Sequence, residues 1–303
     1  MNRRQFVLVA GMGLVSTTLT GSALERAGST LRSTHRVALK KAVKFGMIQE
    51  DMTILQKFEL LKRIGFDGVE MDSPSDLDID EIVAARDTSG LTIPGVVDSV
   101  HWRQTLSDAD PAVREAGLDG LMTALNDAHA FGASTVLLVP AVVNKDTSYD
   151  DAYTRSQLEI RKVLPLASEL GVKIAIENVW NRFLLSPLEA ARYVDEFESD
   201  MVGWHLDIGN IVTFSWPEQW IRILGHRVLK LDIKEYSRAK RDEEGPYAGF
   251  RVKLGDGDNN WPEVLNALDD IGYEGWATAE IPGGGTKRLE EIATRMNRIL
   301  ELS

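Results

Sequence analysis

Apolar and polar positions alternate through the second half of the chain, and each alternating run stops on an acid. Lys173-Ile174-Ala175-Ile176-Glu177 ends on a carboxylate, with Asn178 after it. Val202-Gly203-Trp204-His205-Leu206-Asp207, Val228-Leu229-Lys230-Leu231-Asp232 and Trp276-Ala277-Thr278-Ala279-Glu280 end the same way. The period is two, so each run predicts a strand whose successive side chains point to opposite faces. Lys173, Ala175 and Glu177 then share one face, as do His205 with Asp207, Lys230 with Asp232, and Thr278 with Glu280. Four acids at the C-terminal ends of four successive strands point to a site.

Upstream the same pattern predicts a first strand at 43–48 and a helix at 53–63, with Leu55, Phe58, Leu61 and Ile64 at helical spacing. A turn at 65–68 leads to a short strand, Val69-Glu70-Met71. A helix at 79–89 stops at Gly90, and a third strand at 91–97 leads to His101 and Trp102. The next helix starts at Pro111, where proline is tolerated, and ends before Gly132, a usual C-terminal stop. A strand at 135–139 and a helix at 149–170 follow. The acid-ended strands are separated by helices at 187–197, 217–224 and 262–271, and a last helix covers 287–300. The charged stretch 238–244 reads as part of a long loop after the seventh strand.

Eight strand-then-helix units predict an α/β fold with a parallel sheet closed into a single (β/α)8 TIM barrel, in which chemistry sits at the C-terminal strand ends. The alternative, an open doubly wound sheet, lacks a glycine-rich phosphate loop here. The domain reading is an export signal and leader over 1–41 and a catalytic barrel over 42–303. The first part rests on Arg3-Arg4 followed by Phe6, an uncharged run to Leu19, and the small residues Gly21-Ser22-Ala23. That pattern resembles a twin-arginine signal and predicts an exported, periplasmic protein. The run is too short and too rich in small polar residues for a membrane span.

The formal net charge of −12 argues against nucleic acid as a partner. The chain has no cysteine, which excludes disulfides, thiolate metal sites and cysteine nucleophiles. Glu177, Asp207, Asp232 and Glu280 cannot crowd together ionised without compensation. A divalent metal supplies it, and all-oxygen ligation favours Mn²⁺ or Mg²⁺. The bland reading pairs each acid with a base, as Lys230 and Lys234 could do for Asp232.

Ile176-Glu177-Asn178, Leu206-Asp207-Ile208-Gly209-Asn210, Leu231-Asp232-Ile233-Lys234-Glu235, Leu254-Gly255-Asp256-Gly257 with Trp261, and Gly272-Tyr273-Glu274-Gly275 together resemble a known family. It is the sugar isomerase/epimerase superfamily of xylose-isomerase-like barrels, which includes ketose 3-epimerases. The resemblance covers roughly residues 43–300. It implies a metal held by Glu177, Asp207, position 232 and Glu280, where the family's usual histidine is Asp232 in this chain. It also implies Glu177 and Glu280 as acid and base, moving a proton on a carbon beside a carbonyl through an enediolate.

Glu70, His101, Lys234 and His205 are the candidate substrate-binding or supporting residues, with His205 one layer below Asp207. Trp102 and Trp180 are candidate walls for a sugar face, and Arg251 lies in the loop before Gly255. The expected activity is a metal-dependent sugar isomerase or epimerase acting on a small carbohydrate, and a homo-oligomer is compatible with it. A keto-sugar or keto-glycoside lyase or hydratase on the same site is the first alternative. A non-catalytic sugar-binding barrel is the second. An abasic-site endonuclease would need more than the five histidines present.

Overall fold

The computed structural model describes residues 38–302. The proposed twin-arginine signal therefore lies outside the described residues, as does the leader up to residue 37. The elements run β1 (Leu39–Lys44), α1 (Ile54–Ile64), β2 (Gly68–Ser73), α2 (Ile79–Ser89), β3 (Gly95–Asp98), α3 (Pro111–Phe131), β4 (Thr135–Leu138) and α4 (Tyr149–Leu170). They continue as β5 (Lys173–Glu177), α5 (Pro187–Asp195), β6 (Val202–Asp207), α6 (Ile208–Val212), α7 (Pro217–Leu224), β7 (Val228–Ile233), α8 (Arg238–Glu244), α9 (Trp261–Asp270), β8 (Gly275–Ala279) and α10 (Thr286–Ile299). The eight strands pair in parallel, in sequence order, and β8 returns to β1 to close the barrel. This is the (β/α)8 architecture that the alternation of elements predicts.

Two expectations change. The first strand lies at Leu39–Lys44, with a short 3-10 turn over Phe45–Met47, so residues 39–41 are barrel strand and not leader. The lysines at 40, 41 and 44 hid it. Lys41 reaches out to Asn297 of α10, while Lys44 points inward. Residues 238–244 form α8 rather than loop, because Ser237 caps the helix by accepting a hydrogen bond from the Lys240 N–H.

Local chemistry explains most helix ends. Thr53 and Gln56 form a reciprocal capping box at the start of α1. Asp78, Asp110, Ser148 and Ser186 cap α2, α3, α4 and α5. The outward strand residues Val69, Met71, Val136, Ile174, Ile176 and Leu206 are buried under the helices. Each fully buried aliphatic side chain of this kind contributes about 1.5–3 kcal/mol of transfer free energy. Among the described residues, no helix is long and apolar enough to cross a membrane.

The barrel interior is charged rather than aliphatic. Lys230 of β7 reaches Glu70 of β2 at 3.5 Å, and Lys44 of β1 reaches Asp232 of β7 at 3.1 Å. Neither pair of strands is adjacent in the sheet, so both contacts cross the interior. Gly95 of β3 makes room: a Cβ there would lie 2.5 Å from Lys230 Nζ and 3.0 Å from Glu70 Oε1.

Candidate active site

Glu177 is the last residue of β5, Asp207 the last of β6, and Asp232 lies directly opposite Asp207 in the β6–β7 pairing. Glu280 is the first residue past β8, and its N–H donates to the Ile233 carbonyl. One carboxylate oxygen from each of the four lies within 4.8 Å of the others. Asp207 and Asp232 are fully buried, Glu177 nearly so, and the Glu280 side chain keeps 38% exposure toward the barrel mouth.

Asn178 fixes two of these acids. Its Nδ2 donates to the Asp207 carbonyl at 2.8 Å, and its Oδ1 accepts from Trp204 Nε1 and from the Asp207 N–H, both at 3.0 Å. Asp207 also caps α6: its Oδ1 accepts the Asn210 N–H at 2.8 Å. The other oxygen is left facing the cluster.

Three lysines compensate the charge. Lys234 Nζ lies 2.7 Å from Asp207 Oδ2 and 2.8 Å from Glu280 Oε2, as ion contacts outside hydrogen-bond alignment. Below it, Asp232 Oδ1 meets Lys44 Nζ at 3.1 Å and His205 Nε2 at 3.0 Å. Burial alone would push the Asp232 pKa up, but His205 and Lys44 outweigh it and hold the carboxyl well below the usual range. Burial raises Glu177 well above an ordinary glutamate, and the Glu280 charge adds to it. Burial also pushes Glu280 up to about 7, with Asp232 adding and Lys234 opposing. Burial disfavours the Lys234 ammonium, but Asp207 and Glu280 reverse that and raise it.

The remaining sequence candidates fall in different places. Glu70 is not at the mouth; it is sealed in the interior with Lys44 at 2.6 Å and Lys230 at 3.5 Å. His205 sits beneath Asp207 against Asp232. His101 accepts the Val139 N–H at 3.3 Å through Nδ1, and burial lowers its pKa to about 3, so it is neutral. Trp102 is half exposed beside it. Trp180 packs on Phe250, and Arg251 is exposed and paired with Glu244. Sequence reasoning did not single out Lys44, whose inward position on β1 was the available signal. Nor did it single out Asp98, a buried acid at the end of β3 that burial pushes up to about 7.

The arrangement fits a divalent cation. Among the described residues, Glu70, Glu177, Asp207, Asp232 and Glu280 are met by the ammonium groups of Lys44, Lys230 and Lys234 and by the imidazole of His205, so full ionisation of the five acids leaves an excess of negative charge. Glu177 Oε1, Asp207 Oδ2, Asp232 Oδ2 and Glu280 Oε2 are buried without a hydrogen bond. Oxygens around a six-coordinate cation such as Mg²⁺ stand about 3 Å apart when adjacent and about 4.2 Å when opposite, and the four here lie within 4.8 Å of one another.

A closed parallel barrel carries acids at the ends of four consecutive strands, three of them, Glu177, Asp207 and Glu280, with raised pKa values, an arrangement suited to moving protons or holding a cation. The chain belongs to the xylose isomerase-like TIM barrel family, whose model matches residues 58–301. Among its relatives is L-ribulose-5-phosphate 3-epimerase UlaE of Escherichia coli O1:K1 / APEC. The two are 26% identical over 283 residues, which cover 85% of this chain and 96% of the relative. Similar solved structures include a D-tagatose 3-epimerase-like protein, with TM-score 0.74 and 18% identity over 87% of this chain and 98% of the other. Another is the 3-keto-D-glucoside 4-epimerase YcjR of E. coli, with TM-score 0.71 and 17% identity over 86% and 98%.

Proposed function

We propose that this chain is a divalent-metal-dependent sugar epimerase or isomerase. The observation that carries the reading is the pairing of Glu177 and Glu280: a buried carboxylate and a partly exposed one at the barrel mouth, both with raised pKa values, in one cluster with Asp207 and Asp232. A catalytic acid or base works best with a pKa near the working pH. Curated relatives named as 3-epimerases support the carbohydrate substrate.

Glu177, Asp207, Asp232 and Glu280 would hold the cation, Mn²⁺ or Mg²⁺ by the hardness of the donor set. When bound it would polarise a sugar carbonyl and the hydroxyl beside it, making the C–H of the hydroxyl-bearing carbon more acidic. Glu177 comes from β5 and Glu280 follows β8, three strands further round the barrel, so the two approach from different sides. One takes the proton from carbon and the other delivers a proton to the opposite face. The cycle closes when both return to their starting protonation. Lys234 faces the same cleft and donates to a substrate oxygen. Asp232, clamped by Lys44 and His205, stays ionised throughout.

The test is turnover in deuterated water with a panel of free and phosphorylated ketoses. Solvent deuterium must enter the product at the carbon that changes, and Glu177→Gln and Glu280→Gln must each abolish exchange. Full exchange in either variant overturns the acid–base assignment. The export reading rests on Arg3-Arg4, Phe6, the uncharged run to Leu19 and the small residues Gly21-Ser22-Ala23, and a double lysine replacement of the arginines that leaves the protein's fractionation unchanged would overturn it.

A further inference from the structure

The mouth of the barrel carries a second cavity that proton transfer leaves without a use. It encloses about 380 Å³ and is walled by Trp180, Leu184, Leu185, Phe214 and Tyr247. These residues follow β5, β6 and β7, so the cavity opens on the same face of the barrel as the four acids.

The polar groups of the lining nearest the acids are already engaged. Asn178 commits both ends of its amide to β6. Asn210 Nδ2 donates to the Asn178 carbonyl at 3.0 Å, and Trp180 Nε1 donates to the Asn210 carbonyl at 2.9 Å. Apart from the exposed Arg182 side chain, what they leave for an occupant is aromatic and aliphatic surface. Phe214, Leu185 and Tyr247 are 53%, 56% and 72% exposed, a clustering of apolar surface that marks a binding site. Backbone strain sits in the same loop, where Arg182 and Leu184 hold φ of 61° and 51° without being glycine.

Trp180 joins this cavity to the acids. Its ring lies 5.0 Å from that of Phe250, and Phe250 lines a smaller cleft of about 240 Å³ together with Lys234 and Glu280. The Trp180–Phe250 pair thus borders both a small charged cleft and a larger apolar cavity. A free monosaccharide would use only the first.

We propose that the larger cavity is an aglycone subsite. The substrate is a glycoside whose sugar ring lies at Lys234 and Glu280 and whose planar apolar substituent lies against Trp180, Phe214 and Tyr247. This rests on the carbohydrate reading above and narrows it. A glycosidic bond locks the anomeric carbon, so the carbonyl beside the abstracted proton is then a ketone on the ring.

Saturation-transfer NMR on the full chain with Mg²⁺ tests it. The probes are methyl and phenyl β-D-glucopyranoside, their ring-ketone derivatives, and free D-fructose and D-tagatose. The expected result is saturation of the phenyl protons and at least tenfold tighter binding of a phenyl glycoside than of its methyl counterpart. That preference should vanish in a Phe214→Ala/Tyr247→Ala variant that keeps the methyl glycoside affinity. Equal binding of phenyl and methyl glycosides, or a preference that survives in the variant, overturns the subsite. So does a loss of self-association in the variant with no change in phenyl binding, which would assign the patch to a second copy. Saturation of free ketoses alone sinks the subsite and leaves the carbohydrate reading standing. Absence of sugar-ring saturation for every probe sinks both.

Discussion

Lys44 Nζ lies 3.1 Å from Asp232 Oδ1 and 2.6 Å from Glu70 Oε2, so a single ammonium group from β1 neutralises an acid of the site and an acid buried beneath it. The Lys44 side chain is 11% exposed and both carboxylates are essentially sealed. Removing one partner from a buried ion pair costs about 3–5 kcal/mol, because the other charge stays in a poor solvent. Lys44→Met should therefore lower the thermal midpoint by roughly 10 °C, at about 2–4 °C per kcal/mol for a domain of this size. Adding Glu70→Gln should return part of that loss. Circular dichroism melts of the single and double variants check it; a single variant as stable as the parent would mean the interior acids are neutral.

The raised carboxyls make stability depend on pH in a fixed direction. Glu280 is held at about 7, above its ordinary value of 4.5, and burial raises Glu177 well above its ordinary value too. A group whose folded pKa is raised binds its proton more tightly in the native state. Stability from that source is complete below the unfolded pKa and is lost as pH rises through the folded one. The metal-free protein should melt at lower temperature at pH 8 than at pH 5. A divalent cation competes with those protons, so Mn²⁺ should raise the midpoint more at pH 8 than at pH 5. Dye-monitored melts with chelator and with added Mn²⁺ give the comparison, and a metal effect that grows toward low pH would contradict the four-acid site. Because the Glu280 side chain is partly exposed, the size of the effect rests mainly on Glu177.

Asn178 offers a separate test of how the site is held. Its amide makes three buried hydrogen bonds to β6, two of them to the backbone of Asp207. Asn178→Ala leaves the Trp204 indole N–H and the Asp207 amide without that acceptor, at about 2–3 kcal/mol in stability. It should also cut kcat by at least tenfold, through the displaced Glu177 and Asp207. Asn178→Asp keeps the acceptor but loses the donor to the Asp207 carbonyl and adds a buried charge beside the cluster, so thermal melts and steady-state kinetics should show neither the stability nor the activity recovered.

The barrel was legible because β5 through β8 carry clean two-residue alternation and because glycine stops such as Gly132 and Gly171 fall where helices end. The position of the acids at strand ends was legible for the same reason. β1 was misplaced because its inward and outward lysines mimic a polar leader. No local pattern can say that Lys44 and Lys230 would meet Glu70 across strands far apart in sequence. Glu70 illustrates the limit: its place on β2 is local information, but its partners come from β1 and β7. The fate of 238–244 turned on one capping serine, Ser237, which charge composition outweighed.

Asp232 departs from the histidine that the resembling family carries there, and its surroundings give the departure a consequence. Two cations, Lys44 and Lys234, and the imidazole of His205 surround an anion that a neutral histidine would replace. Asp232→Asn should weaken Mn²⁺ binding by about tenfold to a hundredfold, the range seen when groups around a metal are altered. Asp232→His should not rescue it fully, because Lys44 would then face a neutral ring. Calorimetric titration of metal into both variants decides this. A histidine variant that binds metal better than the parent would mean that Lys44 and His205 adapt to either residue.

Gly209 is the second residue of α6, immediately after the Asp207 cap, and it packs against the backbone that carries Lys234. A Cβ added there would lie 2.5 Å from Lys234 Cβ and 3.0 Å from its carbonyl carbon. Contacts that short cannot persist, and the near atoms are the Lys234 Cβ and main chain rather than the flexible end of a side chain. Gly209→Ala must therefore move the start of α6 or the segment after β7. Overpacking of this kind costs about 1–3 kcal/mol. The larger consequence falls on the site, because α6 positions Asp207 and the displaced segment positions Lys234 between Asp207 and Glu280. The variant should fold with a lowered midpoint, bind Mn²⁺ more weakly and lose at least tenfold in kcat, while KM changes less. Melting, metal titration and steady-state kinetics on one preparation separate these effects. Unchanged kcat with a lowered midpoint would show that the Asp207–Lys234 contact is structural and contributes nothing to proton transfer.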